Sequence, residues 1–471
     1  MPALRLSDVV RATGGSAPTG AGELAFTGVC TDTRAITPGC LFVALRGARH
    51  DAHDYLAEAA RGGARAALVE RTVPASRSGG LHQVRVGDGR QALGDVARFH
   101  ALRCPARRAA VTGSNGKTTT KELLRSALSA GGPTVASERS FNNDVGLPLT
   151  LLSIEPDTRF AVLEMGTSRP GEIARLADLG RPELGIVTNC AAAHIEALKD
   201  VEGVVHEKGA LVAALPPDGV AVLNADDPAL ATLRRRTSAR VVTFGVRRPA
   251  DFRAVDIRFD LRRLVYRLRG ERVYVPLGGC HNVYNSLAAL AAAEAFGIPL
   301  RDAIAALRRT QRPPMRLEPL KVGGITLIDD TYNANPGSVE AAFRTLAAVP
   351  LRGRRVIVLG DMLELGAQSS QLHRRCGELA SLLPEGLLVA AGPHAADVAG
   401  GAASRGADPA RVVTCADAEE AAALLPDLLQ PGDTVLVKGS RGMAMERVVA
   451  AIAARFRAQG ARVAGAGRAA G

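Results

Sequence analysis

Apolar residues in this chain fall into short runs of four to six, each bounded by turn residues and followed by a stretch of helical spacing. ARAALVE belongs to a short N-terminal set; the run entering TGSNGKTTT, RFAVLEMG, LGIVTNC and GVAVLNADD form one series, and ITLIDD, RRVIVLGD, LLVAAG and TVLVKGS form a second. Alternation of strand-length and helix-length segments predicts parallel sheets with crossover helices, an α/β fold. LFVAL at 41–45 reads as a further short strand, with a helix beginning in Ala57–Gly63 and another near Gly89–Leu102. Paired prolines make Gln311–Pro314 a linker. The expected organisation is a small N-terminal α/β module (1–86), a central parallel-sheet domain with a phosphate loop (87–313), a C-terminal Rossmann-like α/β domain (314–457) and a flexible Ala/Gly/Arg tail (458–471).

Composition narrows the function classes. At 471 residues, 47% hydrophobic and 23% charged, the chain is long and apolar enough for several cores and is not a disordered protein. No apolar run reaches the roughly 18–20 residues of a membrane helix, and the N-terminus has no long apolar segment of the secretory kind. The seven cysteines form no CxxC pair, which suits free thiols in the cytoplasm. A net charge of +12 raises nucleic acid as a partner, but there is no Trp and no basic run interleaved with aromatics. The basic excess is diffuse and favours anionic small molecules. Of the 59 basic residues only six are lysine (117, 121, 199, 208, 321 and 438), leaving 53 arginines. Lysines that persist against such a bias are candidates for places where a guanidinium cannot serve.

Polar residues end the apolar runs at Thr112, Glu164, Thr188-Asn189, Asp329-Asp330, Asp361 and Lys438. Open α/β sheets bind ligands at the carboxyl ends of their strands. Gly113-Ser114-Asn115-Gly116-Lys117-Thr118-Thr119 lies between a strand and a helix, although Val111 stands where a full Walker motif has its first glycine. Glycines let backbone amides converge on phosphate oxygens, Lys117 neutralises them, and the Thr118 hydroxyl can ligate magnesium. Glu164, at the end of an apolar strand, needs a cation or several donors, and His194 is a further candidate ligand. Asn282 is placed to cap the Ala-rich helix that follows it, with Asn285 back-bonding or facing a purine. Asp330-Thr331-Tyr332-Asn333-Ala334-Asn335-Pro336 is either an Asx-rich turn or a ligand loop.

Taken together these motifs resemble the Mur ligases, ATP-dependent amide-forming enzymes of peptidoglycan synthesis. TGSNGKTTTKE, SFNNDVGLP, LEMG, AHIEAL, HEKGAL and GCHNVYNSLAALA resemble the shared central domain. DDTYNANPGSVEAA, VLGDMLELG and LVKGSRGMAMERVV resemble the C-terminal domain of the branch that adds D-alanyl-D-alanine to UDP-N-acetylmuramoyl-tripeptide. CTDTRAITPGCLFVALRGARHDAHDYL resembles the UDP-binding N-terminal module.

The resemblance implies ATP, two Mg²⁺ ions and CO₂, held as a carbamate on Lys208, as cofactors. It implies ATP contacts from Gly113 to Thr119, Asn282, Asn285, Arg316 and Asp330, and metal ligation by Thr118, Glu164, His194 and carbamylated Lys208. Lys117, Lys208 and His194 would be the catalytic residues. Substrate contacts would come from Asp32, Thr33, Arg34, His53, Asn142, Asn143, Asn333, Asn335, Lys438, Ser440 and Arg441. Thr33 and Ala52 depart from the family's usual Ser and Gly. A cytoplasmic monomer acting on small molecules, with no nucleic acid and no membrane span, is expected. The implied chemistry is attack of a carboxylate on the ATP γ-phosphate, then attack of the amine on the acyl phosphate, under a C-terminal domain that closes over the site. Rival readings are the sister ligase that adds the third amino acid, folylpolyglutamate synthase, and a nucleotide-binding homologue without catalysis.

Overall fold

The computed structural model describes residues 4–17, 20–47, 49–348, 353–383 and 386–466, with side chains as far as residue 457. Among these, three larger sheets follow one another along the chain. The first is parallel, ordered Val29–Cys30, Leu41–Val43, Ala66–Val69, His82–Arg85. A two-stranded antiparallel ribbon, Leu4–Arg5 with Ala25–Phe26, sits beside it.

The central sheet has nine strands. Its parallel part runs Phe252–Phe259, Arg240–Gly245, Val220–Asn224, Leu184–Val187, Arg107–Thr112, Phe160–Glu164, Thr134–Ala136. Phe160–Glu164 is buried along its whole length, which explains its unbroken apolar pattern. Leu264–Leu268 extends this sheet antiparallel to Phe252–Phe259, and Glu271–Val275 pairs antiparallel with Leu264–Leu268 in turn, a departure from the expected parallel pattern. Their alternating burial explains why they were missed, because only every second residue meets the core.

The third sheet is ordered Glu318–Val322, Ile325–Asp330, Thr434–Lys438, Arg355–Gly360, Leu387–Ala391, Val412–Cys415 and is parallel except at its first edge.

Two cores bridge these sheets. Leu6 and Val9 of the first helix, Leu6–Thr13, share a cluster with Ala110 and Leu163 of the central sheet and Leu147 of the helix Gly146–Leu152. Val187 and Leu223 share another with Ile328 and Ile357 of the third and Val339 of the helix Pro336–Ala348. Burial of this extent, at about 25 cal/mol per Å² of apolar surface, ties the units into one body. The Ala-rich helix His281–Ala295 is buried on most sides and packs on Lys117–Leu128, its small side chains permitting close approach.

Two expectations are corrected and a third holds. Asn282 is not the cap of its helix: Cys280 occupies that position, and Asn282 Nδ2 donates instead to the carbonyl of Gly278 (2.6 Å). The segment past Arg457, expected to be loose, continues the final helix Glu446–Ala466, as its Ala and Arg content favours; residues 467–471 of that tail lie outside the described residues. Gln311–Pro314 is non-helical, as the prolines predict.

Candidate active site

The strand Arg107–Thr112 runs into the loop Gly113–Gly116, and the helix Lys117–Leu128 begins at once. Gly113 and Gly116 take φ of 148° and 82°. A Cβ on the first would lie 1.8 Å from Thr188 Oγ1, and on the second 2.3 Å from Asn285 Oδ1, so only glycine fits. Asn189, at the end of the neighbouring strand, straps the loop. Its carbonyl accepts from the Ser114 amide (2.9 Å) and its side-chain oxygen from the Asn115 amide (3.0 Å). Thr120 donates the first backward bond of the helix, to Gly116 O (2.8 Å). The amides of Gly116 to Thr119 therefore have no intrahelical acceptor and converge, with the helix dipole, on one spot suited to an anion. Lys117 Nζ folds back on Gly113 O (2.8 Å), and burial holds its pKa below the ordinary lysine value.

Beside the loop stands Glu164, 1% exposed. Its Oε1 accepts from Thr118 Oγ1 (3.2 Å) and Asn142 Nδ2 (3.0 Å), whereas Oε2 is buried with no partner. Lys121 Nζ donates to the carbonyls of Ser137 (2.5 Å) and Arg139 (2.9 Å), which pins the segment leading to Asn142. His194 sits in the left-handed region (φ 57°), with Nδ1 2.5 Å from Glu364 Oε2 on the third sheet's side. That close contact lowers the Glu364 pKa.

Lys208 is 1% exposed. Burial, and then the charge of Lys117, lower its pKa to about 7. It does not line the pocket that holds Glu164 and His194. Its neighbour Glu207 is committed to Thr167 and to the amides of Gly171 and Ile173.

Three cavities meet here. One of 740 Å³ is walled by Asn115, Asn282, Asn285, Arg312, Arg316 and Asp330 among others. A second of 250 Å³ holds Ser114–Thr118, Asn142, Glu164 and His194. It shares Asn115, Gly116, Arg316, Asp330 and Lys438 with the first. A third of 240 Å³ shares His194, Asn333 and Asn335 with the second and adds Leu363, Ser440 and Arg441. The carboxyl ends of the central and third sheets thus face each other across the site.

Direct contacts join the two sides. Arg316 donates to Thr118 Oγ1 (3.3 Å) and lies over the Tyr332 ring (4.1 Å); Asn335 Nδ2 donates to Asn115 Oδ1 (2.8 Å). Lys438 Nζ bridges Asp330 Oδ2 (2.7 Å) and Asn333 O (2.9 Å). Asn285 bonds Thr120 and Asn282 and so buttresses the loop.

Other sequence-predicted residues lie apart. Asn143 is exposed and its side chain accepts from the amides of Val145 and Gly146, a capping role instead of a place on the cavity wall. His53 is 1% exposed, with Nδ1 2.6 Å from Asp51 and Nε2 accepting from the Glu70 amide (2.9 Å), so neither nitrogen is open to a ligand. Asp32 and Arg34 form an exposed fork on the first sheet, away from the lining of all three cavities, with Thr33 opening the short turn of helix between them. Arg34 hydrogen bonds hold the Asp32 pKa down to about 2.

Family models match the chain in three stretches: the Mur ligase family catalytic domain over residues 25–101, the Mur ligase middle domain over 111–293, and the Mur ligase glutamate ligase domain over 315–441. The chain belongs to the Mur ligase family. It is similar to the UDP-N-acetylmuramoyl-tripeptide--D-alanyl-D-alanine ligase of Escherichia coli, with 39% identity over 91% of this chain and 94% of that one. A crystal structure of MurF from Acinetobacter baumannii superposes with a TM-score of 0.87 at 31% identity, covering 96% of this chain and 99% of that one. MurF ligase from Thermotoga maritima, solved in complex with ADP, gives 0.79 at 27% identity over 92% and 98% of the two chains.

Asn189 was marked in the sequence as a polar strand end, but two other residues of this Mur ligase site escaped that reading. Asp226 follows a strand run that was recognised, and the Asp226-Asp227 doublet was a usable signal. Burial opposes the Asp226 charge, yet the amides of Arg247, Val246 and Arg248 hold its pKa below the usual carboxylate range and fix the rim of the large cavity. Glu364 gave no signal, since its partner His194 is distant in sequence.

Proposed function

We propose that this Mur ligase joins D-alanyl-D-alanine to UDP-N-acetylmuramoyl-tripeptide at the expense of ATP, as a cytoplasmic monomer in peptidoglycan precursor synthesis. The three cavities in series carry this reading. The largest has room for a nucleoside, the middle one presents the phosphate loop, and the third offers the Arg441 guanidinium and the apolar Leu363 to a small peptide acid. Among the described residues no helix is long and apolar enough to cross a membrane.

A carboxylate is a poor acyl donor, so its oxygen attacks the ATP γ-phosphorus and ADP departs, leaving an acyl phosphate. The dipeptide amine then attacks the acyl carbon, and phosphate leaves. Two anions must approach in the first step, and Lys117 with the open amides of Gly116–Thr119 offsets that repulsion. The Arg316–Thr118 and Asn335–Asn115 contacts bring the third sheet over the loop, which excludes water from an intermediate it would hydrolyse.

Magnesium fits the residues present. Among the described residues no three His, Cys, Asp or Glu side chains are grouped to hold a metal. Mg²⁺ needs no such cage, because it takes one or two carboxylates with water and phosphate oxygens. Glu164 Oε2, buried and unpartnered, with the Thr118 hydroxyl on Oε1, is that kind of donor set. When bound, the ion would neutralise the triphosphate; His194, and Lys208 as a carbamate, would be further ligands.

The test is a panel of UDP-muramoyl peptides with D-alanyl-D-alanine or single amino acids as acceptors, read by ADP release. Turnover with a single amino acid and none with the dipeptide would overturn the reading. The Asp32–Arg34 fork is assigned to the UDP half of the substrate. The first helix shares its core with the central sheet, so a point change is a cleaner test than truncation. Arg34→Ala is expected to raise KM for the UDP-substrate about 10-fold, the worth of one charge-assisted hydrogen bond, with KM for ATP unchanged. Steady-state kinetics in each substrate checks it.

A further inference from the structure

We propose that Glu364 is a positioning residue that reaches across the domain boundary to set the tautomer and orientation of His194, so that the central site is complete only when the third sheet is docked. This rests on the ligase reading given above.

Glu364 holds the His194 turn at two points. Its Oε2 lies 2.5 Å from His194 Nδ1, and its carbonyl accepts from the Glu196 amide (3.2 Å), in the short helix that His194 opens. Both residues have left-handed backbones, φ 57° for His194 and φ 62° for Glu364. Neither is glycine, and such a conformation costs on the order of 1–3 kcal/mol, so the surroundings must enforce it. On the Glu364 side they do. His373 Nε2 accepts from the Met362 amide (2.8 Å), and Ser440 Oγ accepts from the Leu363 amide (2.9 Å). The loop is therefore rigidly presented before it meets His194.

A carboxylate at Nδ1 keeps the imidazole proton on that nitrogen and leaves the lone pair on Nε2. This is the form an imidazole needs to ligate a cation or accept a hydrogen bond from a phosphate-side group. The His194 and Glu364 side chains are 21% and 52% exposed, and pairs of such exposure contribute little to stability. Two strained residues joined by a contact of small stabilising value fit a positional role better than a structural one.

The experiment compares Glu364→Ala and Glu364→Gln with the parent enzyme. Imidazole ¹⁵N shifts of His194, recorded without substrates or metal, should show the proton on Nδ1 in the parent, a mixed population in Glu364→Ala, and partial retention in Glu364→Gln, whose amide oxygen still accepts. Ligation should fall in kcat by about 10–100-fold in Glu364→Ala with KM for ATP within about 2-fold, and Glu364→Gln should lie between. A parent tautomer with the proton on Nε2, or an unchanged tautomer in Glu364→Ala, overturns the proposal. So does a folded Glu364→Ala enzyme with parental kcat. Because the tautomer is read without substrates, a wrong assignment of the acceptor peptide would leave this result standing, and the two failures are distinguishable.

Discussion

Lys117→Ala is expected to abolish ligation while leaving the fold intact. The ammonium sits where the amides of Gly116–Thr119 converge, and desolvation already holds its pKa below the ordinary value. Among the described residues its hydrogen-bond partners are the carbonyls of Gly113 (2.8 Å) and Ser114 (3.4 Å). A desolvated cation with incomplete partners interacts strongly with an arriving phosphate, because the local dielectric is low. Removing it should cost at least about 10²–10³-fold in kcat/KM, the loss typical of one electrostatic donor aimed at developing charge. Stability should hold or rise, since the variant no longer buries an ammonium. ADP release and calorimetric melting, measured together, check both halves. Turnover within about 5-fold of the parent in a folded Lys117→Ala enzyme would remove the loop from the phosphate-binding role.

The strand–loop–helix at 107–128 was legible because its signals are local. An apolar run, two glycines with obligatory positive φ and a lysine-threonine pair lie within eighteen residues of chain, and each names its own conformation. Glu164 was legible for a similar reason: a carboxylate closing a fully buried strand must meet a cation or donors, and it meets Thr118 and Asn142. What escaped depends on tertiary pairing. The Glu364–His194 contact joins residues 170 positions apart, and nothing in either local sequence marks the other. At His53 and Asn143 motif position suggests ligand contact, whereas the structure engages their polar atoms locally, with Asp51 and the Glu70 amide for His53 and with the Val145 and Gly146 amides for Asn143. Asn282 erred by two residues: helix starts are set by backbone hydrogen bonding, and Cys280 rather than a side-chain acceptor stands at the cap. The antiparallel edge of the central sheet was missed because half-exposed strands leave only an alternating signal.

Lys208→Arg is expected to lose activity by about 10²-fold, although charge and approximate length are kept. Lys208 is 1% exposed, and burial followed by the charge of Lys117 brings its pKa to about 7. Above that pH the amine is neutral in the folded protein, which is the form that reacts with CO₂. Its nitrogen lone pair bonds to the CO₂ carbon, a proton is released, and a carbamate anion results. The product carries oxygens, the donors magnesium prefers, and a negative charge beside Lys117 in place of a positive one. A guanidinium keeps its proton throughout the accessible range and forms no such adduct, so carbamylation would account for a lysine here in a chain with 53 arginines. The linkage has a definite sign. Unmodified Lys208 binds fewer protons folded than unfolded between about pH 7 and its ordinary value of 10.5, so stability should rise with pH across that window. Carbamate occupancy should likewise climb as pH passes 7. Carbon-13 NMR of enzyme equilibrated with ¹³CO₂ reads it directly: one carbamate signal in the parent, growing with pH, and none in Lys208→Arg. An active parent enzyme that shows no such signal at pH 8 would leave Lys208 a buried neutral amine and end the assignment.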